Sequence, residues 1–320
     1  MTNQNKSILI AVDGSSHSLD AVNYVAFQSR GLQTRVNLLY VFPMASDELV
    51  CQINVNGEFK RALQEKYNAF NRECERLAQD SLDRAKDILV ELGMAPELIS
   101  GVPQMWQSGI ARDILKEARK GYDAVVVGRR GISRIEAILL GSVSAKVVQG
   151  SDKTPVWVVG NKPPEKGGVP KMLLAVDASE YSRKAVEYCA DFAAGSGAEV
   201  TLCHVVRRLL PGAATPAMEL AGEEIEKELL EKMNAMLPEM LNTYRGILET
   251  AGVTPGKIAT VCRTGSYSRA ADILDVARSG GFDTVVLGRR GISAVREFFM
   301  GRVTSKVLNG ADDLSVWIVP

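Results

Sequence analysis

Residues 125–134 read Val-Val-Val-Gly-Arg-Arg-Gly-Ile-Ser-Arg, and residues 285–294 repeat them as Val-Val-Leu-Gly-Arg-Arg-Gly-Ile-Ser-Ala. In each copy a short apolar run ends at a glycine, a pattern that predicts a buried strand followed by a tight loop. The second copy lies in the other half of a 320-residue chain. So long a period predicts two similar domains rather than an array of short repeats.

Other segments repeat in the same order along the chain. Residues 8–15, Ile-Leu-Ile-Ala-Val-Asp-Gly-Ser, match residues 172–179, Met-Leu-Leu-Ala-Val-Asp-Ala-Ser. Residues 161–170, Asn-Lys-Pro-Pro-Glu-Lys-Gly-Gly-Val-Pro, have the proline and glycine content of a linker. The sequence therefore predicts a first domain at 1–160, a linker at 161–170 and a second domain at 171–320.

Each half alternates short apolar runs with longer amphipathic segments, which is typical of parallel strands joined by helices. In the first half we expect strands at 8–12, 35–41, 99–105, 124–127 and 156–159, and helices at 18–29, 59–92, 110–119 and 142–149. A long helix is also expected at 216–250. Pro103 has no amide hydrogen to donate, so its strand belongs at a sheet edge. The predicted class is α/β, with two tandem Rossmann-like domains, each a five-stranded parallel sheet of order 3-2-1-4-5 flanked by helices.

The composition excludes several classes of function. Lys plus Arg and Asp plus Glu both number 38, so no bulk charge attracts nucleic acid or an anionic membrane. The apolar runs are far shorter than the ~18 residues of a membrane span, and the N-terminus lacks a signal-peptide core. Five scattered cysteines predict free thiols in a reducing compartment, and two histidines leave little material for zinc. We expect a cytoplasmic protein with no metal bound by its side chains.

The candidate site follows from the strand order. Ligands of doubly wound sheets bind where the order reverses, here at the carboxyl ends of strands 1 and 4. Asp13 follows strand 1, and the spacing Gly128-x2-Gly131-x9-Gly141-Ser142 follows strand 4 and leads into a helix. Glycine lets a backbone approach a phosphate, and a helix N-terminus offers unpaired amides with a partial positive charge. This edge is therefore a candidate phosphate site.

Structural interpretations of the same residues remain open at this stage. The glycines can be turn formers, Asp13 and Asp177 can cap the next helix, and Ser142 can be an N-cap. Two arginine pairs fit either solvated loop charges or phosphate contacts: Arg129-Arg130 and Arg289-Arg290. The three tryptophans are interpreted as core or interface anchors rather than base-stacking residues: Trp106, Trp157 and Trp317.

Together, Asp13, Val41 at the end of strand 2 and the glycine spacing resemble the universal stress protein family, as a tandem that covers nearly the whole chain. The resemblance implies an adenine nucleotide alpha hydrolase-like fold and ATP, AMP or ADP as ligand, with magnesium or manganese as a companion. The nucleotide-binding residues that it implies are Asp13, Val41, Gly128, Arg129, Gly131, Gly141, Ser142, Val143 and Ser144. Asp13 and the backbone near Val41 would meet the adenine, and the residues after strand 4 would meet the ribose and phosphates.

The second half keeps most of this pattern. Its corresponding residues are Asp177, Val205, Gly288, Gly291, Gly301, Arg302, Val303 and Thr304. Arg302 replaces Ser142, and its long cationic side chain either occludes the phosphate position or pairs with a phosphate. We expect a competent first site and an altered second one.

The resemblance also implies why the domain is duplicated. Single-domain members pair through their last strands, so the tandem chain is expected to pair its two halves internally through residues 156–159 and 315–319, with a homodimer as a further assembly. The expected function is a nucleotide-responsive stress regulator that acts on a partner protein. A slow ATPase and a scaffold without nucleotide are the alternatives, and no catalytic residue is assigned.

Overall fold

The structure, a computed structural model, describes residues 5–43, 57–131, 140–162, 167–207, 216–292 and 300–320. These residues form two compact units. One unit contains residues 5–26 and 33–159, and the other combines residues 27–32 with residues 160–320. Residues 163–166 of the predicted linker lie outside the described residues.

The first unit contains a five-stranded parallel sheet. Its strands are β1 (Lys6–Ala11), β2 (Thr34–Phe42), β3 (Ile99–Met105), β4 (Ala124–Gly128) and β5 (Val156–Val159). They are ordered β3-β2-β1-β4-β5, which confirms the predicted order 3-2-1-4-5. Pro103 pairs with Tyr40 of β2 on the outermost strand, so its predicted edge position is also confirmed.

The connecting helices of the first half are α1 (Ser16–Gln28), α2 (Gly57–Glu91), α3 (Ile110–Ala118) and α4 (Ser142–Gly150). Each begins and ends within two residues of the predicted position. The last turns of α2 bury a stripe of residues at helical spacing, Ala78, Leu82, Ala85 and Leu89. Through this stripe the C-terminal half of α2 packs against the sheet.

The second unit repeats the same architecture. Its strands are β6 (Lys171–Ala175), β7 (Glu199–Arg207), β8 (Ile258–Ser266), β9 (Thr284–Gly288) and β10 (Ser315–Val319), ordered β8-β7-β6-β9-β10. Its helices are α5 (Glu180–Ser196), α6 (Pro216–Ala251), α7 (Arg269–Ser279) and α8 (Arg302–Gly310). The central strands are apolar on both faces, as helices on both sides of a parallel sheet require.

Two of the three tryptophans lie in the core. Trp157 and Trp317 are fully buried, with Trp157 edge-on to Tyr24 and Trp317 edge-on to Phe192. The interpretation of these two as core anchors is confirmed. Trp106 follows the edge strand β3 and is 45% exposed, so a core role is wrong for it. An edge strand has a neighbour on one side only, which leaves its flanking side chains less covered.

The thiols described by the structure are free, as predicted. Cys189 and Cys203 are buried, Cys74 is half-buried and Cys262 is exposed, whereas Cys51 lies outside the described residues. Across the described ranges, we find no helix with both the length and the apolar character needed to cross a membrane.

Candidate functional site

The turn after β1 is organised by a carboxylate and two hydroxyls. Oδ1 of Asp13 accepts hydrogen bonds from the backbone N–H of Ser15 at 3.0 Å and from its hydroxyl at 2.5 Å. Ser15 Oγ in turn accepts from the backbone N–H of Ser18 at 3.2 Å, which makes Ser15 the cap of α1. Asp13 therefore stabilises the turn, and the interpretation of Asp13 as the cap itself is wrong.

The loop after β4 lies directly against this turn. A Cβ on Gly131 would come within 2.5 Å of Oδ2 of Asp13, and one on Gly128 within 2.7 Å of the carbonyl oxygen of His17. Neither glycine has a positive φ. Gly128 is the last residue of β4, so the interpretation of a glycine that ends a strand is confirmed for it. Close approach, rather than a positive φ, is what requires glycine at both positions.

Gly141 places the start of α4 over the same loop. Its N–H donates to the carbonyl of Arg129 at 2.9 Å, and a Cβ there would lie 3.4 Å from that oxygen. Gly141 is the N-cap and provides no side-chain cap, and exposed Ser142 is the first helical residue. The N-cap interpretation of Ser142 is thus wrong. The first-turn amides of Ser142, Val143 and Ser144 are those that a helix leaves without an intrahelical acceptor.

Ser144 has a structural role that the spacing did not predict. Its hydroxyl is buried and donates to the carbonyl of Gly128 at 2.7 Å, which ties α4 to the end of β4. Thr304 donates in the same way to Gly288 at 2.9 Å. Because the hydroxyl hydrogen of Ser144 is committed to Gly128, we revise its expected phosphate contact to its backbone N–H.

The two arginines that follow β4 differ in burial, and so do the two that follow β9. Arg129 is fully buried and Arg289 is 7% exposed, so the interpretation as solvated charges is wrong for both. Arg130 and Arg290 are half-buried. The first arginine of each pair is therefore buried, whereas the second is partly exposed.

The end of β2 borders the same edge. Val41 pairs with Gln104 of β3 and is buried, with 7% of its surface exposed. Burial raises the pKa of the neighbouring Tyr40, and the Asp13 carboxylate and Cys74 raise it further. Tyr40 therefore stays neutral and near Asp13, a neighbour that the sequence did not predict.

The second half reproduces these contacts. Oδ1 of Asp177 accepts from the Ser179 N–H at 3.0 Å and from the Ser182 hydroxyl at 2.8 Å. Oδ2 of Asp177 accepts from the Ile292 N–H at 3.2 Å. A Cβ on Gly291 would lie 2.6 Å from that oxygen, and one on Gly288 would lie 2.7 Å from the backbone of Tyr181. The carboxylate thus joins the ends of β6 and β9.

Three side chains distinguish the second half: Arg302, Tyr244 and His204. Arg302 is the exposed first residue of α8, between the N-cap Gly301 and half-buried Val303. Tyr244 on α6 donates its hydroxyl hydrogen to the carbonyl of Asp177 at 2.7 Å. His204, which stands in β7 where Tyr40 stands in β2, places Nδ1 2.7 Å from the carbonyl of Val176, and buried Val205 follows it.

Two of the surface grooves formed by the described residues are lined by none of the site residues named above. One, of about 470 Å³, is lined by α5 and α6 around Asp191 and Thr243, and the other, of about 390 Å³, by α6 and β8 around Leu241 and Cys262. Neither contains a predicted site residue. Residues 44–56, after β2, and residues 132–139, between Gly131 and Gly141, lie outside the described residues.

Comparisons with known proteins agree with this architecture. The model of the universal stress protein family matches residues 4–160 and again residues 168–320. Universal stress protein Slr1230 of Synechocystis sp. is 22% identical over 312 residues, which cover 95% of this chain and 96% of that protein. Universal stress protein YxiE of Bacillus subtilis is 31% identical over 139 residues, which cover 43% of this chain and 90% of that protein.

Solved structures show the same fold. A universal stress protein from Archaeoglobus fulgidus superposes with a TM-score of 0.61 at 18% identity, and the match covers 99% of this chain and 98% of that one. The two matches to the family model together span nearly all of the sequence, and each contains one of the two sheets. The chain belongs to the universal stress protein family and carries its domain twice.

Proposed function

We propose that the first half binds an adenine nucleotide, ATP, AMP or ADP, and that the chain is a nucleotide-responsive stress regulator. The observation that carries this proposal is the convergence of three backbone segments at one edge. Gly131 abuts the Asp13 carboxylate after β1, and Gly141 lies against residues 129–131 at the start of α4. Such a convergence at a switch point suits a nucleotide.

The phosphates would lie at the N-terminus of α4. Gly141 has no side chain in the way, and the helix lacks a side-chain cap that would compete for its first amides. The amides of Ser142, Val143 and Ser144 and the exposed Ser142 hydroxyl would donate to phosphate oxygens. The partial positive charge of the helix end favours an anion at this position.

The adenine and ribose would lie between Asp13, the backbone at Val41 and the glycines after β4. Oδ1 of Asp13 is already occupied by Ser15, so the backbone next to Asp13 is the more available partner for the base. Glycine is needed along this path, because a side chain at Gly131 would collide with Asp13 and one at Gly128 with the His17 backbone of α1. Buried Arg129 would act on the phosphates through its positive charge.

A magnesium or manganese ion would arrive with the phosphates. Among the described residues, no group of three or more His, Cys, Asp or Glu could hold a metal. Phosphate oxygens and water would supply most of the ligands of such an ion, an arrangement that Mg²⁺ accepts. The proposal also assumes that the protein acts in the cytoplasm, because free thiols persist in such a reducing compartment.

Titration of the intact chain with ATP and AMP, read by native mass spectrometry and calorimetry, tests the proposal. We expect one nucleotide per chain, lost in Gly141→Leu, whose side chain would enter the phosphate position. Gly301→Leu is the matched control, because Gly301 has the same N-cap role in α8 and should leave the stoichiometry unchanged. Absence of nucleotide in the wild-type chain would overturn the proposal in favour of a scaffold.

The same samples separate a regulator from an ATPase. We expect ATP to remain intact while bound, measured as the absence of released phosphate. Steady phosphate release that Gly141→Leu abolishes would support the slow ATPase instead. The pairing of the two halves through their last strands, and any homodimer, stay predictions that a mass measurement in solution tests.

A further inference from the structure

A short segment from the first half of the sequence completes the second unit. Residues 27–32, at the end of α1 and just after it, belong with residues 160–320. Gln28, the last residue of α1, is 0% exposed. Its Nε2 donates to Oδ1 of Asp283 and to Oγ1 of Thr284, at 3.1 Å each. A side-chain amide of the first half is therefore buried against the start of β9.

Asp283 is the centre of a buried hydrogen-bond network. Its Oδ2 accepts from the backbone N–H of Lys171, the first residue of β6, at 2.7 Å. Its Oδ1 accepts from the Thr284 hydroxyl as well as from Gln28. Burial raises the pKa of Asp283, whereas the hydrogen bonds from Lys171, Thr284 and Gln28 lower it. Loss of the Gln28 amide would remove one donor from a site that is largely closed to water, which makes the loss costly.

The turn after α1 also packs on the second half. Gly31 has a φ of +75°, and a Cβ on it would come within 2.7 Å of the carbonyl oxygen of Gly195 in α5. A Cβ on Gly195 would in turn overlap the side chain of Leu32. Arg30 donates to the carbonyl of Gly168 at 3.3 Å. The segment is therefore fitted to the second half through its backbone as well as through Gln28.

The carboxylate of the network is present in both halves. Asp123 precedes β4 as Asp283 precedes β9, and its Oδ2 accepts from the backbone N–H of Ser7 at 2.8 Å. The Lys6 ammonium lies 3.6 Å from Oδ1 of Asp123. Asp123 thus takes these partners from its own half.

The amide and the hydroxyl of the network are not repeated. Ala124 stands where the second half has Thr284, and Phe192 stands where the first half has Gln28. Phe192 is fully buried and lies edge-on to Trp317 of the same unit. At these positions the amide belongs to the first half and the hydroxyl to the second, so the two are complementary only between unlike halves.

We propose that Gln28 and Thr284 are the specificity-determining pair by which the first half recognises the second half rather than another copy of itself. Two first halves would bring Gln28 to Asp123 and Ala124, where no hydroxyl receives its amide. Two second halves would bring a phenylalanine to the same carboxylate and hydroxyl. Buried polar pairs select partners in this way, because a mismatched arrangement leaves polar groups unpaired. The proposal concerns the pairing of the halves and does not depend on a nucleotide.

The test uses the full-length chain with a protease site introduced into residues 161–170 and cut after folding. We expect the cut wild-type protein to remain a one-to-one complex of unlike halves by native mass spectrometry. Gln28→Leu should raise the Kd between the two fragments by about tenfold or more, since its partners lose the amide. Asn23→Leu is the matched control and should keep the wild-type Kd, because the Asn23 amide donates to the Leu19 carbonyl of the same helix at 2.9 Å.

The choice of partner separates a specificity role from a merely structural one. The two fragments differ in mass, so pairs of like halves are distinguished from unlike pairs after the cut protein is diluted and reassembled. Wild type should give unlike pairs almost exclusively. Gln28→Leu should also give pairs of first halves, because leucine has no amide to leave unpaired beside Ala124. Thr284→Ala, which copies the residue of the first half, should raise the Kd in the same way and replaces Gln28→Leu if that variant does not fold.

Three results overturn the proposal. The first is an unchanged Kd in folded Gln28→Leu or Thr284→Ala. The second is a raised Kd in Gln28→Leu with no pairs of like halves, which would reduce Gln28 to a structural contact. The third is an equal yield of like and unlike pairs from the cut wild-type protein.

Discussion

The α-carbon of Gly131 lies so close to the Asp13 carboxylate that a Cβ there would be 2.5 Å from Oδ2. The corresponding distance between Gly291 and Asp177 is 2.6 Å. In both halves the carboxylate is held by a serine two residues later, so it has little freedom to move aside. The contact between the first and fourth strand ends is therefore a rigid feature of each domain.

We predict that Gly131→Ala destabilises the protein by about 1–2 kcal/mol, because Asp13 must give up its bonds to Ser15 to make room. Urea unfolding measures the loss. Gly246→Ala is the control, since a Cβ inside α6 meets nothing within 4 Å. That change should raise stability by ~0.5–1 kcal/mol, as alanine favours a helix interior. A neutral Gly131→Ala would contradict the tight contact.

Ser144→Ala should cost about 1–3 kcal/mol, because the Gly128 carbonyl would lose a buried donor. Thr304→Val should show a similar loss in the second half, where the threonine hydroxyl serves Gly288. Ser144→Thr copies the second half and should keep most of the stability. Thermal unfolding of the three variants makes the comparison, and equal stability of Ser144→Ala and wild type would refute the proposed tie.

The cysteines should react with iodoacetamide in the order of their exposure. Cys262 is exposed and Cys74 half-buried, so both should be alkylated in the native protein, Cys262 first. Buried Cys189 and Cys203 should react only after unfolding in urea. Peptide mass mapping after timed alkylation reads out each site. Rapid native labelling of Cys189 would show that the packing around α5 is looser than described.

Alkaline pH should destabilise the fold through the buried thiols. Burial raises the pKa of Cys203 to about 12, and complete burial raises that of Cys189 even further. The folded state thus holds protons that the unfolded chain releases above about pH 8.5, so stability is full below that pH and falls as pH rises. The slope is at most about 1.4 kcal/mol per pH unit for each thiol.

Urea unfolding with a reductant between pH 7.5 and 10.5 measures this fall. Cys203→Ala should flatten the dependence relative to the wild-type chain. Parallel slopes for wild type and Cys203→Ala would show that this thiol does not contribute.

Much of the fold followed from local patterns. The apolar runs predicted the strands of the first half within two residues, because the apolar pattern of a strand is local in sequence. Pro103 placed β3 at the edge, because proline has no amide hydrogen to donate to a neighbouring strand. The glycine spacing identified which loops meet Asp13. The turn hydrogen bonds of Ser15 could also have been predicted, since a serine follows Asp13 and Asp177 by two residues in both halves.

Contacts between distant segments could not be predicted from the sequence. Nothing in the order of residues shows that Arg129 is buried, that Ser144 turns toward Gly128, or that Tyr244 reaches the carbonyl of Asp177. Each depends on how a helix is rotated and where it rests on the sheet, which packing of the whole domain decides. The sequence by itself determined two copies of one α/β fold, each with glycines at the carboxyl edge of its sheet. Only the tertiary structure decided which side chains lie at that edge, because those side chains reach it only when the helices pack on the sheet.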